Sequence, residues 1–259
     1  MALRIGIAGI AGRMGQLLAE EVAASGAALS GGTVRPGSGK APPAGAAALP
    51  DAAALFAASD VVIDFTHAEE AVPHATLAAR TGRGLVLGSS GLSAAQERAV
   101  AEAAARAPVV YAANFAPGVN LVLALAERMA AALPAEGYDA EILEMHHRQK
   151  VDAPSGTAVA LGRAVAAGRG TTLEEAGRES GRDGHTGRRA TGAIGFAALR
   201  GGQVVGEHTL LFAAATEHIA LTHRSFDRRA YATGAVRAAL WLRGRAPGLY
   251  SMMDVLGMR

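Results

Sequence analysis

The apolar residues of this chain fall into two rhythms. In the first part, short runs that are apolar along their length alternate with stretches of helical periodicity. Leu3–Ala8 is such a run, and a helix over Met14–Ala24 follows it after a glycine-rich turn. The pattern returns as strands at Ala28–Val34, Asp60–Phe65, Gly84–Leu87 and Val109–Ala112, with helices at Glu69–Arg80 and Ala94–Arg106. Strands that are apolar throughout are buried on both faces, and the helices between them are the crossovers a parallel sheet requires. Arg35–Pro50, rich in Gly, Pro and Ala, reads as a loop.

After Pro117 the rhythm changes. A long helix, Val119–Leu133, leads to a strand at Tyr138–Met145 and a helix from about Ser155. Gly168–Arg189 is polar and glycine-rich and reads as a long, mobile loop. Closely joined runs at Ala190–Leu199, Gln203–Ala213 and His218–His223 predict an antiparallel or mixed sheet, and Arg228–Arg243 a closing helix. The expected fold is α/β: a Rossmann-type doubly wound parallel sheet with a second α+β mixed-sheet domain.

Composition narrows the possibilities. Of 259 residues, 50% are apolar and 19% charged, with a formal net charge of +2, as in ordinary globular domains. That balance, without a run of five Lys or Arg, gives no reason to expect nucleic acid as a partner. With no cysteine, disulfides, thiolate metal sites and thioester chemistry are excluded. MALRIGIAGIAGRMG has no long apolar run before its glycines, and no stretch of eighteen uninterrupted apolar residues follows. No membrane association is therefore expected, and a cytoplasmic location is.

Two places carry candidate chemistry. The first is GIAGRMG, with glycines at 9, 12 and 15 directly after the first strand. Glycines there let the backbone approach a pyrophosphate while the following helix directs its N–H groups at it, although the same spacing also makes a tight turn without a ligand. At the end of the second strand, Thr33-Val34-Arg35 offers no acid for an adenosine ribose. Arg35 is either a partner for the 2′-phosphate of NADP or an exposed loop arginine, so NADPH is expected to serve at least as well as NADH. The loops Gly88-Ser89-Ser90-Gly91 and Ala112-Ala113-Asn114-Phe115 follow parallel strands, where small residues would admit a nicotinamide and Phe115 would cover it.

The second place is EMHHRQKVDAPSGTA, Glu144–Ala158. Two of the chain's eight histidines, His146 and His147, stand side by side at the expected strand exit, with Lys150 close behind. Ser155-Gly156-Thr157 after Pro154 reads as a helix start, with a capping hydroxyl and accessible N–H groups. Together these groups describe a pocket for a small carboxylate, with one histidine left for proton transfer. A solvated polar loop is the plain alternative. Adjacent histidines without thiolates do not suggest a metal site, and none is expected. His185, His208, His218 and His223 carry no comparable context, and surface or core roles are expected for each.

The segments AGIAGRMG, VVIDFTHAE, GSSGLS, AANFAPGVNL, EILEMHHRQKVDAPSGTA, ATGAIGFAALRGGQVVGEH and PGLYSMMDVLG resemble the 4-hydroxy-tetrahydrodipicolinate reductase family nearly end to end. The resemblance implies NAD(P)H-dependent reduction of a small dicarboxylate in lysine and diaminopimelate biosynthesis. It assigns His146 to proton transfer, Lys150 to the second catalytic cation, and His147, Gly156 and Thr157 to the substrate; Ser155, at the same helix start, is expected to contact the substrate with them. Gly9, Ile10, Ala11, Gly12, Arg13, Met14, Gly88, Ser89, Ser90, Ala112, Ala113, Asn114 and Phe115 fall on its dinucleotide-contacting loops. It further implies a homotetramer and three segments. These are a dinucleotide-binding domain over 1–117, a substrate-binding and oligomerisation domain over 118–227, and a segment over 228–259 that returns to the first domain. Two departures stand out: Val34 occupies a position where family members often carry an acid, and GSSG replaces the more usual GTTG.

Overall fold

The computed structural model describes residues 1–258. The chain divides into two compact units, Met1–Pro117 with Arg229–Arg259, and Gly118–Arg228. In chain order the first unit comprises β1 (Arg4–Ala8), α1 (Arg13–Ala24), β2 (Ala28–Thr33), β3 (Ala48–Leu49), α2 (Ala52–Ala58), β4 (Val61–Asp64), α3 (Ala68–Thr81), β5 (Gly84–Leu87), α4 (Ala94–Ala104) and β6 (Pro108–Tyr111). From α5 (Pro117–Ala132) the chain enters the second unit. There it forms β7 (Asp139–His146), α6 (Gly156–Gly168), α7 (Leu173–Ala176), β8 (Arg178–Ser180), β9 (Ile194–Arg200), β10 (Gly206–Ala213) and β11 (His218–Ser225). It returns to the first unit with α8 (Arg229–Trp241), β12 (Gly248–Tyr250) and α9 (Met252–Leu256).

The sheet of the first unit runs β12-β6-β5-β4-β1-β2-β3, with every pairing parallel. Alternation along its strands makes two cores. Ile5, Ile7, Ile63, Val86 and Val110 join α1 and α8 on one face, whereas Val62, Leu85, Leu87 and Val109 meet Leu55 of α2, Ala75 of α3 and Val100 of α4 on the other. Each fully buried aliphatic side chain contributes about 1.5–3 kcal/mol, which is why central strands tolerate no polar face. Strand order reverses between β1 and β4, so the carboxyl ends of those two strands open the crevice in which doubly wound sheets bind ligands.

Some elements differ from their sequence reading. β2 is buried only at Gly31 and Gly32 rather than along its length. The loop after it contains the two-residue strand β3 on the sheet edge. The helix α2 is started by Asp51, whose side chain accepts from the Ala54 N–H at 2.8 Å. Gly168–Arg189 is no continuous loop. It holds the single turn α7, closed by a capping box between Thr172 and Glu175, and β8, which pairs with β9. Both are too short to show a period in the sequence.

The second unit is a mixed five-stranded sheet in the order β11-β10-β7-β9-β8. β7 runs parallel to β9 and antiparallel to β10. One face, with Ala140, Ile142, Phe196, Leu210 and Phe212, packs against Val122 and Ala126 of α5 and Leu161 and Val165 of α6. The opposite face leaves Leu143 and Leu199 exposed. Among the described residues no helix is long and apolar enough to cross a membrane.

Candidate active site

In the first unit the turn between β1 and α1 is built by its own backbone. Gly9 adopts a φ of 71°, in the region that favours glycine. The Gly9 N–H donates to Thr33 Oγ1 at 3.2 Å, that of Ile10 to the Thr33 carbonyl at 3.0 Å, and that of Gly12 to the Gly9 carbonyl at 2.9 Å. These three groups hold the turn in shape. A Cβ on Gly15 would stand 2.3 Å from the Gly9 carbonyl oxygen, so this glycine lets α1 pack directly on the turn. Helix α1 then begins at Gly12 with no side-chain cap and no acid in its first turn. Its first N–H groups have no acceptor one turn earlier, and the helix dipole makes that end positive. The arrangement fits the pyrophosphate of a dinucleotide.

The side chains of Ile10 and Ala11 are buried, whereas Arg13 is exposed and Met14 packs partly on the core. Arg35 is exposed just past β2 and makes no ion pair among the described residues. After β5, Gly88 has no room for a Cβ, which would lie 2.4 Å from the Phe65 ring. Ser89 Oγ is buried without a hydrogen-bond partner among the described residues, and Ser90 is exposed. Such a stranded hydroxyl suits a polar ligand atom. After β6, Ala113 is exposed and Asn114 Oδ1 accepts from the Ala116 N–H at 2.8 Å. The Phe115 ring is only 1% exposed and packs on Phe65 at 5.3 Å between centroids. It forms part of the core of this unit.

Sequence reasoning missed a buried acid on this unit. Asp64, the last residue of β4, lies 2.7 Å from His74 Nδ1 and accepts from the Thr66 N–H at 2.7 Å and from Thr66 Oγ1 at 2.6 Å. It braces the loop beside the strand-order reversal. A recess at the amino ends of the strands, lined by Leu3, Asp60, Arg106 and Leu242, lies at the other end of this sheet and carries no such chemistry. Asp60 there is already paired with Arg4 and Arg83.

In the second unit, β7 extends one residue beyond its sequence reading, so His146 ends the strand instead of following it. Alternation places Ala140, Ile142, Glu144 and His146 on the buried face. His146 Nδ1 meets Glu144 Oε2 at 2.6 Å. Arg200, opposite His146 on β9, donates through Nη1 to Glu144 Oε2 at 2.7 Å and through Nη2 to Oε1 at 2.8 Å. The Ser155 N–H adds a fourth donor to Oε1 at 3.0 Å. Burial alone would raise the Glu144 pKa, but the bonds from Arg200, His146 and Ser155 outweigh it and hold the group below the usual carboxylate range.

His208 of β10, opposite Glu144, completes the buried group. Its Nε2 lies 3.0 Å from Ser155 Oγ, and its ring meets that of His146 edge-on at 5.1 Å. Burial first, and then the nearby His146, lower the His208 pKa to about 4. His223 is half-buried, and burial lowers its pKa too; His185 and His218 are exposed. Glu144, Arg200 and His208 were missed because the pairings that join them link distant strands. The one local signal is the E-x-H spacing on β7, which puts an acid and an imidazole on the same face.

The remaining expected residues take distinct places. The His147 N–H donates to the Val204 carbonyl at 2.7 Å, while its Nδ1 is buried without a partner among the described residues. Lys150 is half-buried, and its Nζ donates to both oxygens of Asp152 at 2.7 and 2.8 Å. That bond lowers the Asp152 pKa. Ser155 caps α6 by accepting from the Ala158 N–H at 3.2 Å. With its N–H on Glu144 and its hydroxyl on His208, the buried Ser155 also braces those two side chains. Gly156 is exposed and nothing lies within 4 Å of where its Cβ would be, and Thr157 is half-buried. Among the described residues no group of three His, Cys, Asp or Glu could hold a metal.

Family models described as dihydrodipicolinate reductase match the chain in two parts, an N-terminus over residues 3–115 and a C-terminus over residues 118–256. The chain belongs to the dihydrodipicolinate reductase family. The 4-hydroxy-tetrahydrodipicolinate reductase of Granulibacter bethesdensis is 69% identical over 258 residues, which cover 100% of this chain and 98% of that one. That of Gluconacetobacter diazotrophicus is 64% identical over 256 residues, covering 99% and 98% respectively. A solved member of the family, the dipicolinate-bound dihydrodipicolinate reductase from Paenisporosarcina sp. TG-14, has a TM-score of 0.81 at 24% identity and covers 98% of this chain and 99% of that one. At that identity the likeness is one of fold. GenD2 from gentamicin A biosynthesis, solved with NAD, shares the fold more loosely, with a TM-score of 0.61 at 17% identity over 99% of this chain and 91% of its own. As a member of the dihydrodipicolinate reductase family, the chain is an oxidoreductase.

Proposed function

We propose that this reductase converts 4-hydroxy-tetrahydrodipicolinate to tetrahydrodipicolinate in lysine and diaminopimelate biosynthesis, taking hydride from NADPH or NADH. His146 is its proton-transfer residue, and Lys150 is the cation that holds the substrate's carboxylates. The observation that carries the reading is the state of His146: one ring nitrogen is engaged by Glu144, and the other is left for a reactant. A reduced nicotinamide, when bound, supplies the hydride that adds to the ring after its hydroxyl leaves as water. The neighbouring carbon then needs a proton, and an imidazole donates one in the physiological range.

The name of the Paenisporosarcina relative supports a ring with two carboxylates as the ligand class. Lys150 would exchange Asp152 for a substrate carboxylate, with His147, Gly156 and Thr157 as further contacts. For the cofactor, the start of α1 would take the pyrophosphate and Ser89 a polar atom beyond it. Arg35, with Val34 in place of an acid, is the cation available to a 2′-phosphate. The open sheet face with Leu143 and Leu199 supports assembly into a homotetramer.

The test is an assay coupled to the preceding synthase, following cofactor oxidation with NADH and NADPH in parallel. His146→Ala should lower kcat by about 10²–10⁴-fold with the Kd for NADPH unchanged, and near-normal turnover would remove His146 from its role. Arg35→Ala should raise the KM for NADPH about tenfold and leave NADH alone. A preference for NADH that ignores Arg35 would exclude the phosphate contact. The same preparation should sediment as a tetramer, and a monomer would refute that assembly.

A further inference from the structure

Glu144 has so far been only the group that engages one ring nitrogen of His146, yet its surroundings are hard to explain as packing. Its side chain is 1% exposed, and a buried carboxylate is costly unless every oxygen is paired. All four acceptor positions are filled, by His146 Nδ1, the Ser155 N–H and both Nη groups of Arg200. Its neighbours on the same face of β7 are Ala140 and Ile142 before it and His146 after it. An apolar residue at 144 would continue the apolar run of Ala140 and Ile142 at less expense of free energy.

The arrangement has a chemical consequence. A carboxylate pinned by three other donors can only accept from His146, so Nδ1 carries a hydrogen and proton exchange is confined to Nε2. The far side of the ring is kept clear in turn. Gly206, the first residue of β10, lies beside it, and a Cβ there would stand 3.0 Å from Nε2. The His208 ring, edge-on at 5.1 Å, restricts rotation of the imidazole.

We propose that Glu144 is a positioning residue for the reduction: it fixes the tautomer and orientation in which Nε2 of His146 meets the reactant, and Arg200 and Ser155 hold it in place to do so. The proposal rests on the reading of His146 as the proton-transfer residue. In the step itself the N–H bond at Nε2 breaks, a C–H bond forms on the substrate, and the histidine is left neutral with its hydrogen on Nδ1.

The test combines a spectrum with a cycle of variants. In enzyme labelled with ¹⁵N-histidine, the His146 signals are those lost in His146→Ala. Neutral wild-type His146 should show a protonated Nδ1 and a bare Nε2, and the opposite tautomer would overturn the proposal whether or not any variant folds. Glu144→Gln should lower kcat about 10²-fold, the low end of what a placed proton donor contributes, with the dicarboxylate KM within about twofold. Glu144→Gln combined with His146→Ala should be no slower than His146→Ala alone, because the first acts through the second. Full activity in Glu144→Gln, or losses that multiply in the double variant, would sink the role of Glu144 and leave that of His146 intact. Turnover retained in His146→Ala would sink the underlying reading instead.

Discussion

The glycine turn of the first unit and the histidine group of the second are made of different materials. The turn uses backbone: three N–H groups hold its shape, Gly15 lets the helix seat on it, and the start of α1 presents the charge. The histidine group uses side chains, with Glu144, His146, Ser155 and His208 all buried and tied to one another. The proposed chemistry accounts for the choice. A pyrophosphate is a fixed anion with several oxygens, which oriented amides satisfy without titrating. Proton transfer needs a ring whose charge changes, and that ring needs a partner that keeps its own. The first region should therefore be broken by added bulk and the second by lost or shifted charge.

The largest effect tests the first half of that contrast. In Gly15→Ala the new methyl would meet the Gly9 carbonyl oxygen at 2.3 Å and the Ile10 Cα at 2.6 Å, both backbone atoms that cannot turn aside. Overpacking of this kind costs about 1–3 kcal/mol or more, and here the strain falls on the turn itself. The Kd for NADPH should rise more than tenfold by calorimetry, although no charged or polar side chain has been removed. Dipicolinate should bind as before. An unchanged Kd for NADPH would mean that the turn does not make the cofactor site.

A second effect, on stability rather than on binding, tests the second half through pH. An unfolded histidine titrates near 6.5, whereas folded His208 does so at about 4. Between those values the unfolded chain binds more protons, so stability falls as pH drops from about 6.5 to about 4 and levels off below. The shift corresponds to about 3 kcal/mol. Urea unfolding across that range should show the loss, and His208→Gln should flatten this part of the curve. An identical slope in the variant would remove His208 as its source.

How much of this was legible in the sequence follows the same division. The parallel strands and their helices were visible because burial on both faces leaves long apolar runs, as at Gly84–Leu87, where reading and structure coincide. The glycine turn was visible because local backbone geometry demands particular residues at particular spacing. His146 and Lys150 stood out by density, and the helix start at Ser155 by its capping hydroxyl. Glu144, Arg200 and His208 stayed hidden because the register that gathers them is set by three strands and the loops between them. Ser155 was placed at the correct helix start with its hydroxyl as the cap, whereas its bonds to Glu144 and His208 were not legible. The packing of Phe115 on Phe65 was likewise out of reach, since the two rings come from loops far apart in the chain.

The smallest expected effect lies where the two materials meet. Gly156 opens α6 in the side-chain region, yet like the glycines of the turn it offers only backbone. A Cβ there would meet nothing within 4 Å, so Gly156→Ala should leave stability unchanged or raise it by up to about 1 kcal/mol. If this helix start receives a substrate carboxylate, the methyl intrudes on the approach, and the dicarboxylate KM should rise about three- to tenfold with kcat held. A KM equal to that of the parent enzyme would confine substrate recognition in this unit to side chains. The use of bare backbone for anions would then belong to the dinucleotide turn alone.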